Sequence, residues 1–226
     1  MFTINKAILP ALWLLLFSTC GNFLECSTSS DCDTKDICFA GRCETNKTLQ
    51  VSEKNDQHAA SCGRSPQRGD IKINEILFDV PDGMSGDSNH DGVRDARDDE
   101  FVEIVNTKKE RINLAGLRIE NGTRAKFAFT STCLKARGSV VVFGGGSSSL
   151  SNALISNRAF GFSNSGGIVR LVFDGEEIDS VLYSPLGPAS IVRSPEISGQ
   201  VFRQHGPTLF SPGFCANGRA IESGCF

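Results

Sequence analysis

Tryptophan and tyrosine are almost missing from this chain: 226 residues hold one of each, Trp13 and Tyr183. Aromatic platforms that stack on sugar rings would have to come from phenylalanine, which weakens a carbohydrate-binding reading. Histidine is scarce as well. His58, His90 and His205 are the full set. Neither H-E-x-x-H nor G-x-S-x-G occurs, so a zinc-protease helix and a nucleophile elbow are excluded. No apolar run approaches the ~20 residues that a membrane-spanning helix needs. The bases form no linear stripe, and the formal charge is −3, so the sequence gives no surface for neutralising phosphates and nucleic acid is not an expected partner.

What is present begins with a leader. Lys6 precedes the apolar run Ala7 to Phe17, interrupted by Pro10, and small residues follow it. This is the pattern of a secretory signal, assigned to residues 1–19. Phe17-Ser18-Thr19-Cys20 resembles a bacterial lipobox, which implies cleavage before Cys20 and a lipid on that cysteine. Phe17 and Thr19 depart from the usual leucine and glycine or alanine. The chain is then expected at the outer membrane or cell surface, with the lipid as its membrane contact. Cysteine arithmetic agrees, because nine is odd and an exported protein should pair its thiols. Setting Cys20 aside leaves eight. Losing Lys6 with the leader makes the charge −4.

Cys26, Cys32, Cys38 and Cys43 crowd a stretch too polar to build a core, so residues 20–44 are expected to form a small knot held by two disulfides. Three connectivities are open. Zinc is disfavoured, since no C-x-x-C pair occurs. Residues 45–69 are polar and read as a flexible linker. Cys62 near its end, Cys133, Cys215 and Cys225 complete the even set. Cys215 and Cys225 bracket a short polar loop, which leaves Cys62 for Cys133. Residues 215–226 are the tethered tail.

The strongest motif is DSNHDGVRDARD, residues 87–98. Asp87, Asn89, Asp91, Asp95 and Asp98 occupy positions 1, 3, 5, 9 and 12 of an oxygen-ligand loop, with Gly92 at the turn and the Val93 carbonyl at position 7. Calcium takes roughly 6–8 oxygen ligands in flexible geometry, and alternate residues can converge on it. From Asp79 to Glu103, nine acids face two bases, a local charge of −7. Such a loop repels itself unless a cation neutralises it. The plainer alternative is a solvated acidic loop. A structural calcium ion is expected, and no helix flanks the loop to make it a sensor.

Beyond residue 70 the apolar periodicity is that of short strands. Ile71 to Phe78 changes phase near Asn74 and Glu75, which suggests a bulge. Glu100 to Asn106 is apolar on both faces around Glu103. Asn121-Gly122 reads as a type I′ turn, with Leu117, Ile119, Ala125, Phe127 and Phe129 directed inward. Ser139 to Phe143 is a further strand, and a second hairpin crosses Asp174-Gly175. Gly144 to Leu150 lacks the Lys-Ser/Thr of a phosphate loop and reads as a surface loop. The fold class is all-β, a sandwich over residues 70–214.

Ile73-Asn74-Glu75-Ile76, the aspartate loop running into Asp99 to Asn106, and Ile112-Asn113-Leu114-Ala115-Gly116-Leu117 together resemble the lamin-tail domain of exported bacterial proteins. Phe162 to Gly167, Val181-Leu182-Tyr183, Ser190 to Arg193 and Phe210-Ser211-Pro212-Gly213 follow in the same order. The resemblance implies an immunoglobulin-like sandwich serving as a surface or accessory module, with no catalytic residue. Glu75 and Glu103 could in principle act as an acid and base pair; the resemblance makes them fixtures of the fold. Two function classes follow. One is a non-catalytic surface interaction or adhesion module that binds a protein or surface polymer. The other is a calcium-dependent hydrolase or its accessory subunit. Asn46-Lys47-Thr48 and Asn121-Gly122-Thr123 fit the glycosylation pattern of a eukaryotic secreted chain, but the turn role of Asn121 accounts for the second.

Overall fold

The computed structural model describes residues 36–39, 42–45, 62–206 and 208–225. The signal, Cys20, Cys26, Cys32, His58 and most of the linker lie outside these residues. A separate small unit contains one antiparallel hairpin, β1 (Asp36–Phe39) with β2 (Arg42–Thr45), whose register sets Cys38 opposite Cys43. The pairing of the four knot cysteines falls outside what is described.

Among the described residues, the regular structure of the main body is mostly strand. A six-stranded sheet runs in the order β10 (Ala153–Ile155), β9 (Ser139–Phe143), β4 (Phe101–Asn106), β3 (Ile71–Leu77), β13 (Ile191–Ser194), β14 (Val201–Gln204). A four-stranded sheet runs β12 (Glu176–Tyr183), β11 (Gly167–Phe173), β6 (Arg118–Asn121), β7 (Arg124–Ala128). β5 (Ile112–Asn113) and β8 (Cys133–Leu134) pair beside them. All pairings are antiparallel except β10 with β9. This is an immunoglobulin-like sandwich.

The phase change in β3 is a bulge: the register to β4 slips between Ile73 and Glu75, so Asn74 is the extra residue. Ile71, Ile73 and Ile76 therefore all face the inter-sheet core although their spacing is not uniformly even. β4 is buried along its whole length. Val102 and Ile104 enter the inter-sheet core, whereas Phe101 and Val105 belong to two smaller clusters on the outer face. Those clusters take Phe210, Cys215 and Ile221 from the chain after β14, which folds back over the sheet.

Two expectations need correction. The β6–β7 turn is Gly122-Thr123, because Asn121 still pairs with Arg124. The Asn121 amide instead donates to the carbonyls of Phe160 and Gly161, at 3.2 and 2.9 Å. Ala125 is exposed, because a register slip after Ile119 leaves Lys126 unpaired and reverses the phase beyond it. The Asp174-Gly175 hairpin forms as expected, with φ of 49° and 81° at the two turn residues. The packed body also starts earlier than residue 70: Cys62 is buried and bonded to Cys133, and Cys215 is bonded to Cys225.

One ion pair bolts the sheets together. Arg193, 2 % exposed on β13, donates to the Ile73 carbonyl at 2.8 Å, the Gly199 carbonyl at 2.7 Å and Asp179 on β12 at 2.6 Å. The same Asp179 oxygen accepts the Ile73 N–H at the bulge, 2.8 Å away. Burial pushes the Asp179 carboxyl up and the Arg193 guanidinium down, so desolvation outweighs the pair's mutual attraction at both ends. Such a pair fixes geometry more than it stabilises, yet removing one partner strands a buried charge. Asp179→Ala should therefore cost about 3–5 kcal/mol in denaturant unfolding. The double variant Asp179→Ala with Arg193→Met should cost less than Asp179→Ala alone.

Candidate metal centre

The long connection from β3 to β4 carries the acidic loop, and one carboxylate closes it. Asp99 is fully buried; its Oδ1 accepts the N–H of Ser88 at 2.7 Å and of Asn89 at 3.1 Å, and its Oδ2 accepts the N–H of Asp95 at 2.8 Å. The Ser88 hydroxyl donates to the Asp99 carbonyl at 2.6 Å. Both limbs of the loop are thus pinned to Asp99, two residues before β4. In the sequence Asp99 falls at no ligand position and stands only as local charge and as the first residue of the motif that runs to Asn106.

Within the loop, side-chain oxygens organise backbone amides. Asp87 accepts from Asp91 N at 3.2 Å and Gly92 N at 3.0 Å, Asn89 from Asp91 N at 3.0 Å, and Asp91 from Val93 N at 2.9 Å. Asp95 accepts from Arg97 N at 2.8 Å and Asp98 N at 3.1 Å, and these bonds hold its carboxyl below the usual range. An oxygen that accepts one N–H keeps a second lone pair, and Asp95, whose Oδ1 takes both of its bonds, keeps Oδ2, so each side chain retains a lone pair for a cation.

Gly144 to Ser147, within the 144–150 stretch that reads as a surface loop, lies against this one. Ser147 N donates to Asp91 Oδ2 at 3.1 Å, and Gly145 N donates to the Asp98 carbonyl at 3.2 Å. A Cβ at Gly145 would stand 2.1 Å from Asp98 Oδ1, and one at Gly146 2.5 Å from Asp91 Oδ2. Only glycine permits so close an approach to two of the expected ligands. Asp98 has its carboxyl raised by burial first and then by the charges of Asp95, Asp91 and Asp99. Asp99 is raised chiefly by burial as well, despite its three amide bonds. Among the described residues no ion pair is made by these carboxylates, and Arg97 and Arg94 act on Asp95 only at longer range.

The donor set suits a hard cation, although no three loop carboxylates gather within 4.8 Å of one another. Among the described residues, the one group of three metal-ligand types that close is Glu196, Cys215 and Cys225. Its two sulfurs are bonded to each other, which leaves no thiolate.

Just before β4, Glu100 anchors a neighbouring loop by accepting the N–H of Gly161 at 2.8 Å and Phe162 at 2.9 Å, and burial pushes it up to about 7. Glu75 and Glu103 lie opposite each other on β3 and β4, both 0 % exposed beneath the returning chain. Glu103 accepts from Asn74 Nδ2 at 2.8 Å and Gly213 N at 2.7 Å. Glu75 accepts from the Ser190 hydroxyl at 2.6 Å and from Ser211 through its N–H and hydroxyl, both at 2.9 Å. Neither carboxylate reaches a surface where substrate could meet it.

His205 extends this cluster. Its Nδ1 lies 2.7 Å from the Thr208 carbonyl, an acceptor only, so Nδ1 carries a proton. Its Nε2 lies 2.8 Å from the Ser211 hydroxyl. Because that hydroxyl donates to Glu75, its oxygen faces Nε2 as an acceptor. The serine is a relay that latches the returning chain to β3, not an exposed nucleophile.

The family profile described as Lamin Tail Domain matches residues 64–185, more than half of the chain. The chain belongs to the lamin tail domain family. No curated protein matches it. The matched span runs from the segment after Cys62 through β12. The lamin tail domain of this chain thus carries the acidic loop inside the family match, while β13, β14 and the chain that covers Glu75 and Glu103 follow it. The family is non-catalytic and immunoglobulin-like.

Two outcomes follow from these geometries. Asp99→Ala should lower unfolding stability by about 3 kcal/mol, because the buried N–H groups of Ser88 and Asn89 and the part-buried one of Asp95 lose their acceptor. Glu103 is raised well above its ordinary value, by burial first and then by Glu75. The stability tied to a raised carboxyl is full below its unfolded value and is lost as pH rises through its folded one. Unfolding free energy measured between about pH 5 and 8 should therefore fall with rising pH, and Glu103→Gln should flatten that slope.

Proposed function

We propose that this protein is a lipid-anchored, non-catalytic component of a bacterial cell envelope, whose lamin tail domain is held by one calcium ion and serves as a surface interaction or adhesion module. The observation that carries the reading is the acidic loop, clasped by Asp99 and approached by a glycine cradle around uncompensated carboxylates. Asp87, Asn89, Asp91 and Asp98 with the Val93 carbonyl would hold the ion. Asp95 is already bound to two amides and fits the ninth position, which often acts through water. When bound, the ion supplies charge neutralisation and fixes the start of β4. The lipid reading is supported by the leader, by Cys20 and by the even cysteine set left without it.

Calcium at ~100 times its dissociation constant adds ~2.7 kcal/mol of folding stability. For a chain this long that amounts to a rise of roughly 5–10 °C in melting temperature over chelator. Asp87→Ala with Asp91→Ala should lose the rise. An unchanged wild-type melt would reduce the loop to an acidic surface. Metabolic labelling with a fatty-acid probe should mark the wild type and not Cys20→Ser. Capture of an envelope partner by the full chain, with calcium and not with chelator, is the expected functional readout.

A further inference from the structure

The two ends of β4 differ in charge. The acidic loop precedes Phe101, and about 17 Å away, beyond Asn106, the fold assembles bases from two separate loops. The Asn106 amide, 1 % exposed, donates to the carbonyls of Glu110 at 2.7 Å and Lys135 at 2.9 Å and accepts the Lys108 N–H at 2.8 Å. Arg137 N donates to the Lys108 carbonyl at 3.0 Å. Loops 107–111 and 135–137 are thus one platform, which no linear run of sequence displays. Lys109, Arg111, Lys135 and Arg137 all project from it into solvent. Arg137 holds a φ of 59° in a tight turn closed by Gly138 N to the Lys135 carbonyl, a conformation that bulky side chains rarely adopt. Among the described residues, Asp70 and Glu110 at this end already have partners, and a third acid, the exposed Glu222, lines the same cleft as Lys135. Asp70 pairs with Arg64 and Lys108, and Glu110 pairs with Arg64.

The chain enters the sandwich at this same end. Cys62 is bonded to Cys133, two residues before Lys135, and Asn113 N donates to the Arg64 carbonyl at 3.0 Å. Whatever holds the chain upstream of Cys62 therefore pulls the basic platform towards it. On the lipid reading given above, that anchor is a membrane. We infer that Lys109, Arg111, Lys135 and Arg137 form a docking surface for the anionic headgroups of that membrane, with the acidic loop turned outward. Like-charge repulsion keeps the acidic end away from the same surface, so both ends favour one orientation.

The test uses Cys20→Ser protein of residues 20–226, which carries neither lipid nor apolar leader, in flotation with phosphatidylglycerol-containing vesicles and with phosphatidylcholine vesicles. Binding to the anionic vesicles only, weakening as salt rises, is expected. Partitioning should fall roughly fivefold for each base changed to glutamine, so the four-fold variant should not float. No binding, binding indifferent to salt, or equal binding of a variant whose melt matches wild type would overturn the inference. So would tighter binding to soluble polyphosphate or duplex DNA than to vesicles. Loss of fatty-acid labelling with vesicle binding intact would defeat the lipid anchor and leave the platform standing. Labelling with no vesicle binding would do the reverse.

Discussion

A strand buried on both faces sets the terms for the rest of this fold. β4 gives Val102 and Ile104 to the space between the sheets, and Phe101, Glu103 and Val105 to the other side, where an ordinary sandwich would meet water. That second face has to be covered. The chain after β14 returns to do so, and in returning it seals two carboxylates that now need donors from protein alone. Ser190, Ser211, Asn74 and the amide of Gly213 supply them. Burying a charge without such partners costs several kcal/mol, so the covering segment and the two glutamates are one device.

Much of this could be read from local pattern. β3, β4 and β9, the bulge at Asn74 and the Asp174-Gly175 turn follow from alternation and turn chemistry, which act over a few residues. What escaped reading depends on partners distant in sequence. Arg193 meets the Ile73 carbonyl 120 positions away, and Gly145 and Ser147 meet a loop more than forty residues earlier. Asn121 was read as a turn residue because Asn-Gly favours such turns, but a bulge at Lys126 moved the turn by one, and the freed amide went to Phe160 and Gly161. Asp99 looked like one acid among nine. Its role depends on the depth at which it sits, and spacing does not encode depth.

The acidic loop shows how spacing and structure differ in what they say. Spacing supplies the donor types in order. The structure adds that these donors are tied to amides of their own loop, that Gly145 and Gly146 of a second loop press on Asp98 and Asp91, and that burial and then mutual repulsion raise the Asp98 carboxyl above its ordinary value. A loop that binds a hard cation needs its donors held near the ion before the ion arrives, since preorganisation reduces the cost of binding. The amide bonds provide that hold at some loss of convergence.

The Cys62–Cys133 bridge has a mechanical meaning. Tension arriving from upstream divides at Cys62, part passing along the peptide into β3 and part across the sulfurs into β8. β3 pairs with both β4 and β13, and as a free leading strand it would be the first to be peeled from its neighbours. With the bridge in place the pull is delivered to two strands that pair with different partners, so shear must act on both before either ladder opens. A domain held by one end against flow or against a bound surface carries its load through that covalent fork.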